Sequence, residues 1–324
     1  MRAATVDGPN RLSVITVPDP VPGPGELLIR TQLAAICGSD LHLLATGTRG
    51  EPGSPGHESV GVVLQSNDPA VAVGTSVLCV PLAAGATAFA ELQVQPASAV
   101  LPLPWDEPQR FLLAQQLGTA IFAMKRFWPQ VRLPASARPA TAAVVGAGPA
   151  GLAFVQLLHR AGFRQIVVSD LSPRRLRLAR AYGATDTVLV PERDIVAAVA
   201  DLTDGVGVDL AIEAAGSSAT RAQVMRVVRD EGRIGLFGLA ESTGLEQYPF
   251  DEVFHRRATI EMTWNAQAEP GLSSFREAID LVASAAADTP PMISDAVPLE
   301  QIGAAFALAG DPARGAGKVA VTFG

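Results

Sequence analysis

The chain of 324 residues has little cysteine and no long uninterrupted apolar run. Two cysteines, Cys37 and Cys79, are too few for a disulfide framework and fit a reducing cytosol, so we expect a cytoplasmic protein. The opening residues, MRAATVDGPNRLSV, lack the apolar core of a signal peptide. The longest apolar stretch, Ala142–Leu158, contains a proline and three glycines and is too short and interrupted to cross a membrane.

The chain also lacks an excess of positive charge. It has 25 Lys and Arg against 32 Asp and Glu, a net charge of −7 and a pI near 5.2. Nucleic-acid-binding proteins usually present a basic surface, so we expect no nucleic-acid partner. Because no stretch is long and apolar enough to span a membrane, we also expect no membrane partner. With 48% hydrophobic residues, 30 Gly and 25 Pro, the composition is typical of a folded, turn-rich protein. The length favours two domains over one.

The first part of the chain, up to about residue 110, has the pattern of a β-rich domain. Short runs with strand character are separated by proline- and glycine-rich clusters such as Pro18–Gly25 and Glu51–Gly56. The predicted strands are Leu27–Leu33, Ser59–Gln65, Ser76–Val80 and Glu91–Gln95. Apolar residues then recur at helical spacing, which predicts a linker helix over Phe111–Phe127.

From Thr141 onwards strands and helices alternate, which indicates an α/β doubly wound parallel sheet. Helices are predicted over Ala150–Ala161 and Pro173–Tyr182. The predicted strands are Ala142–Val145, Ile166–Val168, Thr187–Val190, Leu210–Ala214, Arg233–Phe237 and Thr259–Thr263. Beyond Ala266 we expect two helices and a last strand, at Ser273–Ser284, Leu299–Ala309 and Lys318–Phe323.

A glycine-rich turn between the first predicted strand and helix of this sheet has the sequence GAGPAG. Gly146 permits the tight turn, Gly148 lets the backbone approach a pyrophosphate, and Gly151 permits close helix–strand packing. The pyrophosphate would meet the free N–H groups of the helix N-terminus, including those near Pro149 and Ala150. The turn therefore predicts a dinucleotide site.

The choice of dinucleotide depends on the end of the next strand. Asp170 lies 19 residues after Gly151, where a carboxylate can accept hydrogen bonds from both ribose hydroxyls of NAD and would repel the phosphate of NADP. We therefore predict NAD. The following helix carries four arginines, of which Arg175 is best placed to touch the adenosine ribose, and these keep NADP as an alternative; they are Arg174, Arg175, Arg177 and Arg180.

Two short segments of the β-rich part concentrate metal-ligating side chains. AAICGSDLHLL contains Cys37, Ser39, Asp40 and His42, and PGHESVGVV brings His57 and Glu58 twenty residues after the cysteine. Cysteine, histidine and carboxylate are the ligands of zinc, and catalytic zinc keeps three of them plus a water or substrate. With a dinucleotide fold downstream, this cluster predicts a catalytic zinc.

Several segments together carry a resemblance to the zinc-dependent medium-chain alcohol and polyol dehydrogenases, near the sorbitol and threonine dehydrogenase branch. They are PGPGELLIR, CGSDLH, GHESVGVV, GAGPAG, VVSDLSPRRLRLARAYGA, VDLAIEAAG and GRIGLFGLA. The resemblance implies a GroES-like catalytic domain over residues 1–115, completed by 266–324, and a Rossmann NAD-binding domain over 116–265. It also implies a homodimer or tetramer, for which the strand Thr259–Thr263 offers an unpaired sheet edge.

The resemblance also assigns roles to single residues. It makes Cys37, His57 and Glu58 zinc ligands, with water as the fourth ligand. Asp40 would orient the ring of His57. Ser39 would hydrogen-bond the substrate hydroxyl, His42 would end a proton relay through the nicotinamide ribose, and Thr119 would lie beside the nicotinamide.

Two departures from the family pattern bear on the metal. The lobe with four cysteines for a structural zinc is missing, because VGTSVLCVPLAAGATAFAEL runs directly from strand to strand. We therefore expect one zinc per chain and a buried strand position for Cys79. A further zinc-associated position of the family is Gln115 here, and glutamine is a poor zinc ligand, so the fourth coordination position stays open.

The leading hypothesis is a zinc enzyme that transfers hydride between NAD and a secondary alcohol or ketone of the polyol, cyclitol or amino-sugar type. One alternative is a zinc-free enone or quinone reductase of the same fold, although that branch lacks the Cys, His and Glu set. The other is a dinucleotide-binding protein without turnover, which Gln115 and the missing lobe would favour and which Ser39 and His42 argue against.

Overall fold

A computed structural model describes residues 1–82, 85–129, 140–240, 244–245, 247–311, 314–315 and 317–324. The elements up to the linker helix are β1 Arg2–Gly8, β2 Arg11–Thr16, β3 Glu26–Ala35, α1 Gly38–Thr46, β4 Glu58–Ser66, β5 Ser76–Cys79, β6 Leu92–Pro96, β7 Val100–Pro102, α2 Pro108–Phe111 and α3 Ala114–Phe127. Those that follow are β8 Thr141–Val145, α4 Pro149–Arg160, β9 Gln165–Asp170, α5 Pro173–Ala181, β10 Asp186–Leu189, α6 Ile195–Leu202, β11 Val208–Glu213, α7 Ser218–Val227, β12 Val228–Leu236, α8 Phe250–Arg256 and β13 Thr259–Met262. The last are α9 Ser273–Ala283, β14 Ile293–Pro298, α10 Ile302–Ala309 and β15 Lys318–Thr322.

The chain folds into two compact units. Unit 1 comprises Met1–Thr119, Gln267–Pro312 and Ala316–Gly324, and unit 2 comprises Ala120–Ala266 and Ala313–Gly315. The functional domain limits expected from the sequence, 1–115 with 266–324 and 116–265, stay a prediction. In the described ranges we find no helix that combines the length and the hydrophobicity needed to cross a bilayer.

Unit 1 is built on the long strand β3, which pairs antiparallel with β4, β6 and β15. The strand order along the sheet is β14-β15-β3-β4-β5-β7, and β1 and β2 form a separate antiparallel ribbon. The GroES-like β-rich fold predicted for this part is confirmed. The sequence pattern did not reveal α1, nor the strands β1, β2 and β7. β7 has only three residues, and β2 is half-buried without a clear alternation.

Unit 2 contains a parallel sheet of six strands in the order β10-β9-β8-β11-β12-β13. This is the doubly wound order of dinucleotide-binding folds, which reverses between β8 and β11. Strands β8 and β11 are buried along their whole length, as expected for a parallel sheet covered by helices on both faces. The Rossmann fold class predicted from the alternating pattern is confirmed. β13 lies at the edge of the sheet, as predicted for Thr259–Thr263.

Candidate active site

Strand pairing in unit 1 brings the predicted metal ligands together. In the antiparallel pair of β3 and β4, Ala35 lies opposite Glu58. Cys37 follows the end of β3 by two residues, and His57 immediately precedes β4. The connection between the two strands therefore starts and ends at the same edge of the sheet. The thiol, imidazole and carboxylate donor atoms of Cys37, His57 and Glu58 all lie within 4.8 Å of one another.

The start of α1 fixes the orientation of this set. Cys37 is the N-cap of α1, and its backbone N–H donates to Asp40 Oδ2 at 2.8 Å. The other carboxylate oxygen of Asp40 lies 3.0 Å from Nδ1 of His57. Asp40 is fully buried, so a single side chain holds both the helix start and the imidazole ring. This leaves Nε2 as the nitrogen of His57 that can bind a metal, as in other histidine ligands whose second nitrogen is hydrogen-bonded.

The electrostatics of His57 follow from the same contacts. Burial by itself would lower the pKa of the imidazole, but the charge and hydrogen bond of Asp40, helped by Cys37, raise that pKa well above its usual value. A metal that binds Nε2 must therefore displace a proton.

A buried lysine completes the site, and the sequence analysis missed it. Lys318 opens β15, and its Nζ donates to Glu58 Oε1 at 2.9 Å and to Gln116 Oε1 at 3.3 Å. The second oxygen, Glu58 Oε2, is 2.7 Å from Nζ but has no properly directed hydrogen bond within the described part of the chain. Burial alone would lower the pKa of Lys318, but the ion pair and hydrogen bond with Glu58, helped by Cys37, raise it, so the amine stays protonated. The sequence feature that could have identified Lys318 is a lysine at the start of an apolar strand, in a chain that has only two lysines.

The cluster fits a zinc ion in donor chemistry and in valence. A sulfur, an imidazole nitrogen and a carboxylate oxygen are zinc donors, and Glu58 Oε2, which Lys318 Nζ contacts without a directed hydrogen bond, keeps lone pairs for a metal. Across the described ranges, no other group of three His, Cys, Asp or Glu residues comes close enough to hold a metal. Cys79 lies fully buried on β5, where burial raises the pKa of its thiol to about 12 against the opposing hydrogen bond with Ser59.

The remaining residues predicted for the chemistry lie in unit 1, on α1 and on the first part of α3. α1 carries Ser39 and His42, both half-buried and three residues apart, a spacing that places them on one face of the helix. α3 carries Gln115, whose side-chain Nε2 is buried with no hydrogen-bond partner among the described residues. Thr119, one turn later, donates its hydroxyl to the backbone oxygen of Gln115 at 3.0 Å.

The glycine-rich turn of unit 2 has the geometry that its sequence predicts. Gly146 adopts φ 99°, in the region that favours glycine, where the chain leaves β8. Gly148 is the N-cap of α4, Pro149 is its first residue, and Ala150 follows in the first turn. A β-carbon on Gly151 would lie 1.8 Å from the carbonyl oxygen of Gly146, so only glycine fits there.

Asp170 is the last residue of β9, and it lies against this turn. Its Oδ2 accepts a hydrogen bond from the backbone N–H of Ala147 at 2.7 Å, and its Oδ1 accepts one from Ser172 N–H at 2.8 Å. Arg175 Nη1 is 3.7 Å from Oδ2. The carboxylate therefore shapes the turn, and it keeps acceptor capacity for further hydrogen bonds because each oxygen has two lone pairs.

Glu213, at the end of β11, is a second buried carboxylate that the sequence analysis did not single out. Its Oε1 accepts hydrogen bonds from Ala215 N–H, Gly216 N–H and the Thr220 hydroxyl at 2.7–2.8 Å. The loop that it holds lies against Gly146, because a β-carbon on Gly146 would come within 3.0 Å of Ala215 Cβ. Glu213 thus fixes the second wall of the glycine-rich turn.

Two family models match separate parts of the chain. A family model described as "Alcohol dehydrogenase GroES-like domain" matches residues 23–105, and one described as "Zinc-binding dehydrogenase" matches residues 149–284. The chain is 31% identical to the L-threonine 3-dehydrogenase of Pyrococcus abyssi (strain GE5 / Orsay), over 70% of this chain and 72% of that protein. It is 29% identical to the L-threonine 3-dehydrogenase of Bacillus subtilis (strain 168), over 93% of each. Alcohol dehydrogenase TADH from Thermus sp. ATN1 matches the whole chain over its own whole length, with a TM-score of 0.83 and 26% identity.

Proposed function

The chain belongs to the zinc-type medium-chain dehydrogenases, and from that premise we propose that it transfers a hydride between NAD and a secondary alcohol or ketone. The substrate is of the polyol, cyclitol or amino-sugar type. The observation that carries the proposal is the convergence of Cys37, His57 and Glu58 at one sheet edge, with ligand atoms within 4.8 Å of one another. That set is complete for a catalytic zinc and supports one zinc per chain.

The residues in and around this set have separate roles in the reaction. The metal, when bound by Cys37, His57 and Glu58, supplies Lewis acidity toward the substrate oxygen. Asp40 fixes the ring of His57 through the 3.0 Å contact at Nδ1. The Ser39 hydroxyl accepts the proton of the substrate hydroxyl as it releases its own proton toward His42, the terminal base, which passes a proton to solvent.

The choice of NAD rests on unit 2. The buried carboxylate of Asp170 lies against the glycine-rich turn and carries a negative charge where the 2′-phosphate of NADP would be placed. Gly146, Gly148, Pro149, Ala150 and Gly151 would hold the pyrophosphate, Arg175 would contact the adenosine ribose, and Thr119 would contact the nicotinamide. When bound, NAD supplies the hydride acceptor for the alcohol carbon.

The sheet edge of unit 2 supports a homodimer. β13 ends the sheet, and exposed apolar side chains lie on it, just after it and on the helix before it. They are Phe250, Phe254, Met262 and Trp264, each more than 60% exposed. Pairing of two β13 strands would satisfy their open backbone groups and cover these side chains. Light scattering at micromolar concentration should give twice the chain mass, and Ile260→Pro should give single chains; a wild-type monomer contradicts the dimer.

Metal content and turnover test the function directly. Elemental analysis of the metal-replete protein should give one zinc per chain, and a screen of polyols, amino sugars and simple secondary alcohols with NAD should identify the substrate. Cys37→Ala should lose most of the metal and the activity, whereas the matched variant Cys79→Ala should keep both. Two zincs or none per chain would refute the site, and turnover of enones without zinc would favour a reductase instead.

Two variants on α1 test the proton path. His42→Gln should lower kcat by about a hundredfold or less, most strongly at acidic pH, and added imidazole should restore part of the rate. Ser39→Ala should lower kcat more and should not respond to imidazole, because Ser39 contacts the reacting hydroxyl. An unchanged profile of kcat against pH for His42→Gln would exclude His42 from the path.

A further inference from the structure

A fully enclosed ion pair lies against the proposed metal ligands. Lys318 and Glu58 are 3% and 1% exposed, and their closest N–O distance is 2.7 Å. The two residues are 260 positions apart in the chain, and β15 reaches Glu58 because it pairs with β3 on the other side from β4. The backbone oxygen of Val319, the next residue, accepts a hydrogen bond from Ile36 N–H at 3.0 Å. The lysine is therefore fixed by backbone contacts directly beside the segment that carries Cys37.

The two oxygens of Glu58 are not equivalent. Nζ of Lys318 lies 2.9 Å from Oε1 and 2.7 Å from Oε2, but only the contact with Oε1 has the direction of a hydrogen bond in the described residues. Gln116 Oε1 takes a second N–H of the same ammonium group and so fixes the direction of the lysine. Oε1 is thus held by a directed hydrogen bond, and Oε2, which Nζ contacts without one, is the oxygen whose lone pairs are left for a metal.

We propose that Lys318 is a positioning residue that keeps Glu58 a one-oxygen metal ligand and weakens the binding of the metal. The inference rests on the proposed zinc function. An ammonium group hydrogen-bonded to a ligand carboxylate withdraws negative charge from that ligand and repels a divalent cation. A metal held by ligands with less negative charge is a stronger Lewis acid. The same lysine would therefore increase polarisation of the substrate oxygen at the cost of metal affinity.

The direction of the effect separates this role from a merely structural one. If Lys318 only supports the site, its loss leaves Glu58 misplaced, and the metal binds more weakly. If Lys318 competes with the metal, its loss frees both oxygens of Glu58 and removes a positive charge, and the metal binds more tightly. Partners one step removed from metal ligands typically change affinity by about 10–100-fold, which sets the size expected in either direction.

The experiment measures zinc affinity of the full-length protein by competition with a chromophoric chelator, for wild type, Lys318→Met, Lys318→Gln and Lys318→Arg. We expect about tenfold or more tighter binding in the two neutral variants and near wild-type affinity in Lys318→Arg, which keeps the charge. Lys125→Met, the same change at the only other lysine, should bind zinc like wild type. If Lys318→Met does not fold, as judged by circular dichroism, Lys318→Gln decides whether loss of the charge tightens zinc binding. Lys318→Arg then tests whether the charge is the cause.

Cobalt substitution gives a second readout that does not depend on turnover. The visible d–d bands of Co²⁺ should shift in Lys318→Met relative to wild type, because a second carboxylate oxygen joins the metal, and Lys318→Arg should restore the wild-type bands. Unchanged or weaker zinc binding in a folded neutral variant, or unchanged cobalt bands, overturns the inference while the zinc function stands. A wild-type protein that binds no zinc overturns the proposed function itself.

Discussion

Two glycines of the dinucleotide turn, three residues apart, should respond to alanine in different ways. At Gly151 the added β-carbon would lie 1.8 Å from the carbonyl oxygen of Gly146, where real contacts of this kind do not fall below 3.0 Å. At Gly148, with φ −63°, no described atom lies within 4 Å of such a carbon. The first substitution therefore strains the protein itself, and the second changes only the surface that a cofactor would meet.

The structure sets the size of each effect. Gly151→Ala requires the start of α4 to move from Gly146 by about 1.2 Å, an overpacking that costs about 3 kcal/mol, offset by about 1 kcal/mol of helix propensity. A net loss of about 2 kcal/mol corresponds to a fall in melting temperature of roughly 4–8 °C. Gly148→Ala should lower the free energy of unfolding by about 1 kcal/mol at most, because alanine is a poorer N-cap than glycine.

Cofactor binding then distinguishes the two roles. Gly148→Ala should weaken NADH binding by about tenfold or more, or about 1.4 kcal/mol, because its methyl group lies where the backbone should approach the pyrophosphate. Fluorescence titration with NADH and thermal unfolding on the same samples measure both quantities. A Gly151→Ala protein as stable as wild type would refute the close approach, and a Gly148→Ala protein with wild-type NADH affinity would refute the pyrophosphate position.

Three further outcomes follow from the charged and thiol groups. In native protein stripped of metal, one thiol per chain, that of Cys37, should react with a disulfide reagent at neutral pH, and zinc should protect it. Cys79 should react only after unfolding, because it is buried with a thiol pKa of about 12. Two reactive thiols per native chain would contradict this prediction. Burial alone would raise the pKa of Asp209, but the 2.6 Å hydrogen bond from Arg229 helps to lower it. The carboxylate therefore stabilises the fold fully above its unfolded pKa of about 3.9, and this stabilisation is lost as the pH falls through the lower pKa of the folded state. Urea unfolding should therefore show Arg229→Met less stable by about 1 kcal/mol at pH 7, with the gap closing at lower pH, and a gap independent of pH would exclude the ion pair as its source. Asp170→Ser should narrow the preference in kcat/KM for NAD over NADP, and equal use of both cofactors by the wild type would refute the assignment.

Local patterns in the sequence determined much of this protein. The alternation of buried strands and helices after Thr141 predicts the parallel sheet, because only strands covered on both faces are apolar throughout. Gly146 and Gly151 are predictable because a tight turn and a close backbone approach exclude any β-carbon. The proximity of Cys37 to Glu58 also follows from the sequence, since both flank one excursion between two neighbouring predicted strands.

The tertiary structure alone decided the partners of these residues. Nothing near Glu58 in sequence indicates that its carboxylate is shared with Lys318, because the two residues are 260 positions apart and meet only when β15 pairs with β3. In the same way Asp170 accepts a hydrogen bond from the backbone of Ala147, 23 residues earlier, a contact that depends on β8 and β9 being adjacent. Periodicity reports which face of an element is buried, whereas the partner of a buried charge depends on which strands the fold places side by side.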